Sequence, residues 1–179
     1  MTREVERLLL SHARASIAAR LGLEVQEPDH IHSLERMGCF VTLYKAGKLR
    51  GCIGCIQAVE DLEDQVREYA CLAAFEDYRF AQLRPEELEG ITIEISLLSP
   101  LRRVSSYREF KAGEMGIMMS LHGRKAVFLP QVAKETGWNE IQMLMALCQK
   151  AGLDQESYKD PAASFWTFTA HVFGEEDEM

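Results

Sequence analysis

The chain has 179 residues, a hydrophobic fraction of 47%, a charged fraction of 27% and a formal net charge of −8. That is the composition of one globular domain with room for a substantial core, and an acidic balance excludes a nonspecific nucleic-acid binder, which needs a basic face. No stretch approaches the ~20 apolar residues of a membrane span, acids and bases interrupt the N-terminal segment where a signal peptide would be apolar, and five cysteines fit a reduced compartment better than a disulfide framework. A cytoplasmic protein without nucleic-acid or membrane partners is expected.

In chain order, residues 3–21 carry Val5, Leu8, Leu9, Ala13, Ile17 and Leu21 at helical spacing, with Gly22 as the stop. A loop with Pro28, His30 and His32 follows. Phe40–Tyr44 and Leu49–Ile53 then predict a β-hairpin about Ala46-Gly47. With Lys45 opposite Lys48, Arg50 is expected to face Leu43 and Cys52 to face Val41, so that Arg50 and Cys52 point the same way. A second helix starts near Asp61, whose acidic first turn suits the positive helix end, and closes at Phe75. Asp77–Phe80 reads as a loop, and Ile91–Leu97 alternates as a strand that Pro100 ends.

Further on, Tyr107–Lys111 predicts a short helix, and residues 116–121 and 126–129 predict strands around His122-Gly123. Pro130 opens a short helix ended by Gly137. Asn139 with Gln142 forms a capping box for a helix through Ala151, with Gly152 beyond it. Phe165–Phe173 reads as one strand. Residues 1–174 are expected as a single domain, with 175–179 an acidic, disordered tail. The early antiparallel hairpin and interspersed helices predict an α+β fold, and the missing Gly-rich loop removes the dinucleotide and P-loop readings.

Several motifs carry a wider resemblance: Leu49-Arg50-Gly51-Cys52-Ile53-Gly54; Asp77-Tyr78-Arg79-Phe80; Ile93-Glu94-Ile95-Ser96 with Leu98-Ser99-Pro100; Phe128-Leu129-Pro130-Gln131 with Gly137-Trp138; and Lys150-Ala151-Gly152-Leu153. In this order they resemble the AMMECR-type domain family, also called AmmeMemoRadiSam system protein A. The resemblance implies a two-lobed α/β fold and, in prokaryotes, an association with Memo-like and radical-SAM proteins. It implies no established activity. Together with the hairpin and the interspersed helices, it predicts a compact two-lobed α+β domain with a mainly antiparallel sheet flanked by helices. Arg50, Gly51, Cys52, Ile53 and Gly54 match the family's motif.

Chemistry concentrates at Cys52. A cation beside a thiol favours the thiolate, so an Arg50-tuned nucleophile is one reading; a small hydrophobe in a tight hairpin is the other. Gly51 and Gly54 leave room for another backbone or a ligand. Glu94 is a candidate proton acceptor, if burial raises its pKa. Asp77 and Arg79 form a local ion pair or orient a polar substrate. Gln131, at a helix start, adds a polar contact at the rim. Cys55 completes Cys-x-x-Cys, but no second such pair or His-x-x-x-His supplies four zinc ligands, so neither metal nor other cofactor is expected. Neither His122 nor His171 can be assigned as base to the thiol. Two functional readings follow: a binding or accessory component of a Memo-like and radical-SAM pathway with a cleft around Cys52, or an enzyme using Cys52 on an unidentified small molecule or modified side chain.

Overall fold

The structure, a computed structural model, describes residues 1–31 and 36–175. His32 and residues 176–179 of the expected tail lie outside these. The fold is α+β. Its chain divides into two compact units, residues 1–98 with 171–179 and residues 99–170.

In the first unit, helix α1 (Arg3–Arg20) is capped by Thr2, whose Oγ1 accepts from the Val5 N–H. It ends as Gly22 takes a φ of +77°, a left-handed value that glycine adopts without steric cost. Strands β1 (Gly38–Lys45) and β2 (Lys48–Cys55) form the hairpin. Ala46 and Gly47 both have positive φ, the requirement of the tight turn that matches strand twist. Helix α2 (Leu62–Phe75) begins after Asp61, and β3 (Ile91–Leu98) follows a short 3-10 helix at Pro85–Gly90. The sheet runs β2-β1-β3-β8, where β8 is Ala170–Gly174. Leu9, Ala13 and Ile17 of α1 and Val66, Ala70 and Ala73 of α2 bury the sheet side carrying Cys39, Val41, Leu43, Ile93, Ile95 and Leu97.

The second unit holds β4 (Arg102–Val104), β5 (Gly116–Leu121), β6 (Arg124–Phe128) and β7 (Ser164–Phe168) in the order β4-β7-β5-β6. Helices α3 (Gln131–Thr136) and α4 (Glu140–Lys150) complete it, the latter with the expected Asn139–Gln142 capping box. Phe110, Ile117, Met119, Met143, Leu144 and Phe165 form its core.

Two expectations change. The strand expected over Phe165–Phe173 is two strands that break at Thr169 and serve different sheets; one alternating run cannot report which sheet each half joins. Glu175, assigned to the tail, is placed: its carboxylate accepts from Arg14 Nε and Nη2 at 2.6 Å each and from the Ile93 N–H at 2.8 Å. Arg14 also donates to the Leu88 and Ile91 carbonyls, so one guanidinium ties α1, the entry to β3 and the end of β8 together.

Candidate functional site: a polar row across the first sheet

The hairpin keeps the expected Lys45–Lys48 pair, sets Tyr44 opposite Leu49, then slips. Leu43 lies opposite Gly51, Thr42 opposite Cys52 and Val41 opposite Ile53. Arg50 is therefore the extra residue of a β-bulge, and the expected pairings of Arg50 with Leu43 and of Cys52 with Val41 are each displaced by one. The bulge has a physical reason. A Cβ on Gly51 would stand 2.1 Å from the Ala73 carbonyl oxygen of α2, so only glycine lets the helix backbone rest on the strand, and the extra residue brings glycine to that face. Gly54 is likewise filled by protein: its Cβ would meet the Cys39 carbonyl oxygen at 2.2 Å and the Phe40 ring at 2.5 Å. Of the two alternatives expected at these glycines, another backbone or a ligand, it is protein that fills both.

Alternation then sets the faces. Gly51, Ile53 and Cys55 turn toward the helices, so Cys52 turns to the other face. Thr42 pairs with Cys52 on one side and with Glu94 on the other. Cys52, Thr42 and Glu94 thus form one row across three strands, flanked by buried Ser96 opposite Phe40. Strand spacings of ~4.8 Å put the Glu94 backbone about 10 Å from that of Cys52. Thr42 is the group in hydrogen-bond reach, its Oγ1 donating to Cys52 Sγ at 3.2 Å. Glu94 also lines a cleft of about 270 Å³ with Tyr44, Gly47, Thr92, Ile93, Gly174 and Glu175.

Asp77 and Arg79 act on the backbone of Cys52. The strand β2 is an edge, and its Cys52 N–H donates to Asp77 Oδ2 at 2.9 Å, while Arg79 Nη2 donates to the Cys52 carbonyl at 3.4 Å. Arg79 also grips Asp77 through Nε at 2.9 Å and Nη2 at 2.6 Å. The pair satisfies polar groups that an edge strand otherwise offers to another chain, and it fixes the thiol's height. Asp77 is buried while the intervening Tyr78 is 96% exposed. The Arg79 guanidinium and the Cys52 and Arg79 N–H groups hold the Asp77 carboxyl well below the usual carboxylate range, against a desolvation that pushes it up.

The expected tuning of Cys52 by Arg50 is replaced by another arrangement. Arg50 turns to Glu87, with Nη2 at 3.2 Å. Glu87 also accepts from Lys45 Nζ at 2.7 Å and the Arg84 N–H at 3.2 Å, and these bonds lower its pKa to about 2. Burial raises the Cys52 thiol above its ordinary value, Thr42 and Arg79 lower it in part, and Asp77 and Glu94 raise it further. No histidine is among these groups. His12 sits buried between Asp29 and Arg67, and His171 pairs with Glu6. Gln131 belongs to α3 of the second unit, which sequence spacing could not separate from the other motif residues. Residues the sequence reading passed over are Thr42 and Glu87, on the hairpin strand and in the 3-10 helix; Thr42 was visible as the polar centre of Val41-Thr42-Leu43, but its partner depends on the bulge.

Cys52 and Cys55, three apart on a strand, turn to opposite faces, so the Cys-x-x-Cys spacing does not bring its sulfurs together. Among the described residues no group of three or more His, Cys, Asp or Glu is arranged to hold a metal ion, and no helix is long and apolar enough to cross a membrane.

The family model for AMMECR1 matches residues 10–173. A protein of Methanothermobacter thermautotrophicus is 36% identical over 186 aligned positions, covering 98% of this chain and 97% of the relative. Protein MK0488 of Methanopyrus kandleri is 36% identical, covering 99% of this chain and 91% of its own. The crystal structure of the uncharacterized protein PH0010 from Pyrococcus horikoshii superposes with a TM-score of 0.88 at 32% identity, covering 98% of this chain and 94% of that one. By motif order, profile and fold, the chain belongs to the AMMECR1 family.

Proposed function

We propose that the chain is a binding or accessory component of a cytoplasmic pathway that also uses Memo-like and radical-SAM proteins, and that the Cys52–Thr42–Glu94 row is part of the surface it offers to a small ligand or a partner's side chain. The observation that carries this reading is the state of the thiol. Burial and two carboxylates favour the S–H form over the thiolate, and a thiol is a poor nucleophile. Its neighbours are spent on structure, Asp77 and Arg79 on the Cys52 peptide and Arg50 on Glu87. A neutral thiol, a hydroxyl and a carboxylate in a rigid row make a hydrogen-bonding surface with mixed donors and acceptors.

The test is the alkylation rate of Cys52 against pH, resolved by peptide mass spectrometry, in the wild type and in Thr42→Val. The midpoint is expected above the ~8.5 of a free thiol, and higher still in Thr42→Val, which loses the hydroxyl that lowers it. A wild-type midpoint below the free-thiol value would sink this reading and restore a Cys52 nucleophile. Cys52→Ser then separates binding from chemistry: affinity for the Memo-like and radical-SAM proteins and pathway output are both expected to survive in a binding component, whereas intact affinity with lost output marks turnover.

A further inference from the structure

Cys39 and Cys55 face each other in the ladder of β1 and β2. The Cys52 N–H and carbonyl point off the sheet edge to Asp77 and Arg79, so Cys52 and Thr42 form a pair without mutual ladder bonds. By alternation Cys55 and Cys39, three positions on, form a pair that exchanges them, with Cα atoms about 5.5 Å apart. A disulfide spans Cα separations of roughly 4.4–6.8 Å and needs the Cβ atoms at about 3.5–4.5 Å, so the ~5.5 Å Cβ spacing of a bonded pair must contract by about 1 Å at the end of β2. Both sulfurs are on the helix side: Cys39 is fully buried in the core, and Cys55 packs against the same cluster while remaining part-exposed.

The two thiols also share their surroundings. Cys55 Sγ donates to Gln65 Oε1 at 3.2 Å. Burial and the neighbouring Cys55 push the Cys39 thiol up to about 12. Gln65 in turn accepts from the Val59 N–H and donates to the Met37 carbonyl, so this amide holds both flanks of the hairpin's open end.

We propose that Cys39 and Cys55 are a dithiol site that a hydroperoxide oxidises to an intramolecular cross-strand disulfide, with Cys55 reacting first and Cys39 resolving it. The Cys55 sulfur attacks the peroxide, the O–O bond breaks, and a sulfenic acid forms with release of one water (or alcohol). Cys39 stays a neutral thiol, a slow nucleophile in solution, but it is held opposite the sulfenic sulfur, which offsets that slowness. Its proton passes to the departing hydroxyl as the S–S bond forms and the S–O bond breaks, and a second water leaves. Two electrons pass from the thiols to the peroxide. The new bond removes the Cys55 proton from Gln65 and clamps β2 to β1 three residues from Cys52, reporting oxidation to the polar row without consuming its thiol. This exchange is reversible by a small dithiol.

The folded protein is treated with hydrogen peroxide, blocked with N-ethylmaleimide and digested with trypsin without reduction. Residues 37–45, carrying Cys39, are expected cross-linked to residues 51–67, carrying Cys52 and Cys55, with intact mass lower by two hydrogen atoms. The link is expected to persist in Cys52→Ser, a substitution outside the core, and to vanish in Cys55→Ser. Circular dichroism of both variants confirms that they are folded. A Cys52–Cys55 loop within the second peptide, a link between two chains, oxidised Cys55 with Cys39 still free, or five unreacted thiols would each overturn the proposal.

Discussion

Replacing Gly51 by alanine separates a glycine kept for packing from one kept for a ligand. The added Cβ would sit 2.1 Å from the Ala73 carbonyl oxygen and 3.0 Å from its carbon, where ordinary contact begins at 3.4 Å. The obstacle is helix backbone, which cannot rotate aside as a side chain can. Helix α2 must retreat by roughly 1.3 Å to restore contact, and a gap of ~0.5–1 Å already forfeits a quarter to a half of each dispersion contact. Overpacking costs about 1–3 kcal/mol; an immovable neighbour places Gly51→Ala at the top of that range, less the ~0.4–1 kcal/mol that alanine gains by restricting the unfolded chain. With a urea slope of about 2 kcal/mol/M, the midpoint should fall by roughly 1 M. Circular dichroism is the readout, because both tryptophans, Trp138 and Trp166, lie in the second unit. Gly90→Ala is the control: its Cβ meets nothing within 4 Å, and its midpoint should hold or rise slightly. Equal midpoints for the two variants would refute the close approach of α2 and return Gly51 to the ligand reading.

The Asp77 pair gives a pH-dependent counterpart. Asp77→Asn keeps an acceptor for the Cys52 N–H but loses the charge facing Arg79, and should cost about 1–2 kcal/mol near neutrality, discounted because the Arg79 side chain is 44% exposed and partly screened. The Asp77 carboxyl is depressed in the folded state, so its contribution is full above the unfolded value of ~3.9 and is lost as pH falls toward the folded one; denaturation midpoints of wild type and variant should converge in acid, and a constant gap would contradict the assignment. Glu87→Gln should cost less, about 1 kcal/mol, since one partner, Lys45, is half exposed. Its wild-type advantage is full above ~4.3 and gone once pH passes below about 2; urea titrations from neutral pH downward check it, and an advantage that grows on acidification would disprove the depressed carboxyl.

What could be read from residues alone divides along a physical line. Local rules found α1 and its Gly22 stop, the Asn139–Gln142 cap, and the tight turn at Ala46-Gly47, because each is decided within a few residues. The bulge at Arg50 was not readable, since it arises from the approach of Ala73, distant in sequence, to Gly51. One slipped residue redirected the site: it gave Cys52 a threonine as neighbour, sent Arg50 to Glu87 and left Arg79 as the cation near the sulfur. Of the residues the motif reading placed in one cleft, Arg50, Cys52, Asp77, Arg79 and Glu94 lie in the first unit and Gln131 in the second. The break at Thr169 escaped for the same reason, since alternation records a strand's faces and not its sheet.

That break gives the chain an order of assembly. The first unit takes residues 1–98 and then waits for 171–175, the second being inserted between them. On a ribosome, α1, α2 and the β2-β1-β3 layer emerge early, but the outer side of β3 stays open and Arg14 lacks its carboxylate until Glu175, 161 residues later, arrives. The inserted unit has all its strands in one continuous stretch and can close while its host is unfinished. An exposed strand edge during that interval invites pairing with other chains. Sealing falls to β8 and the Arg14–Glu175 ion pair beyond its end, so changes at residues 170–175 act on a layer made long before them.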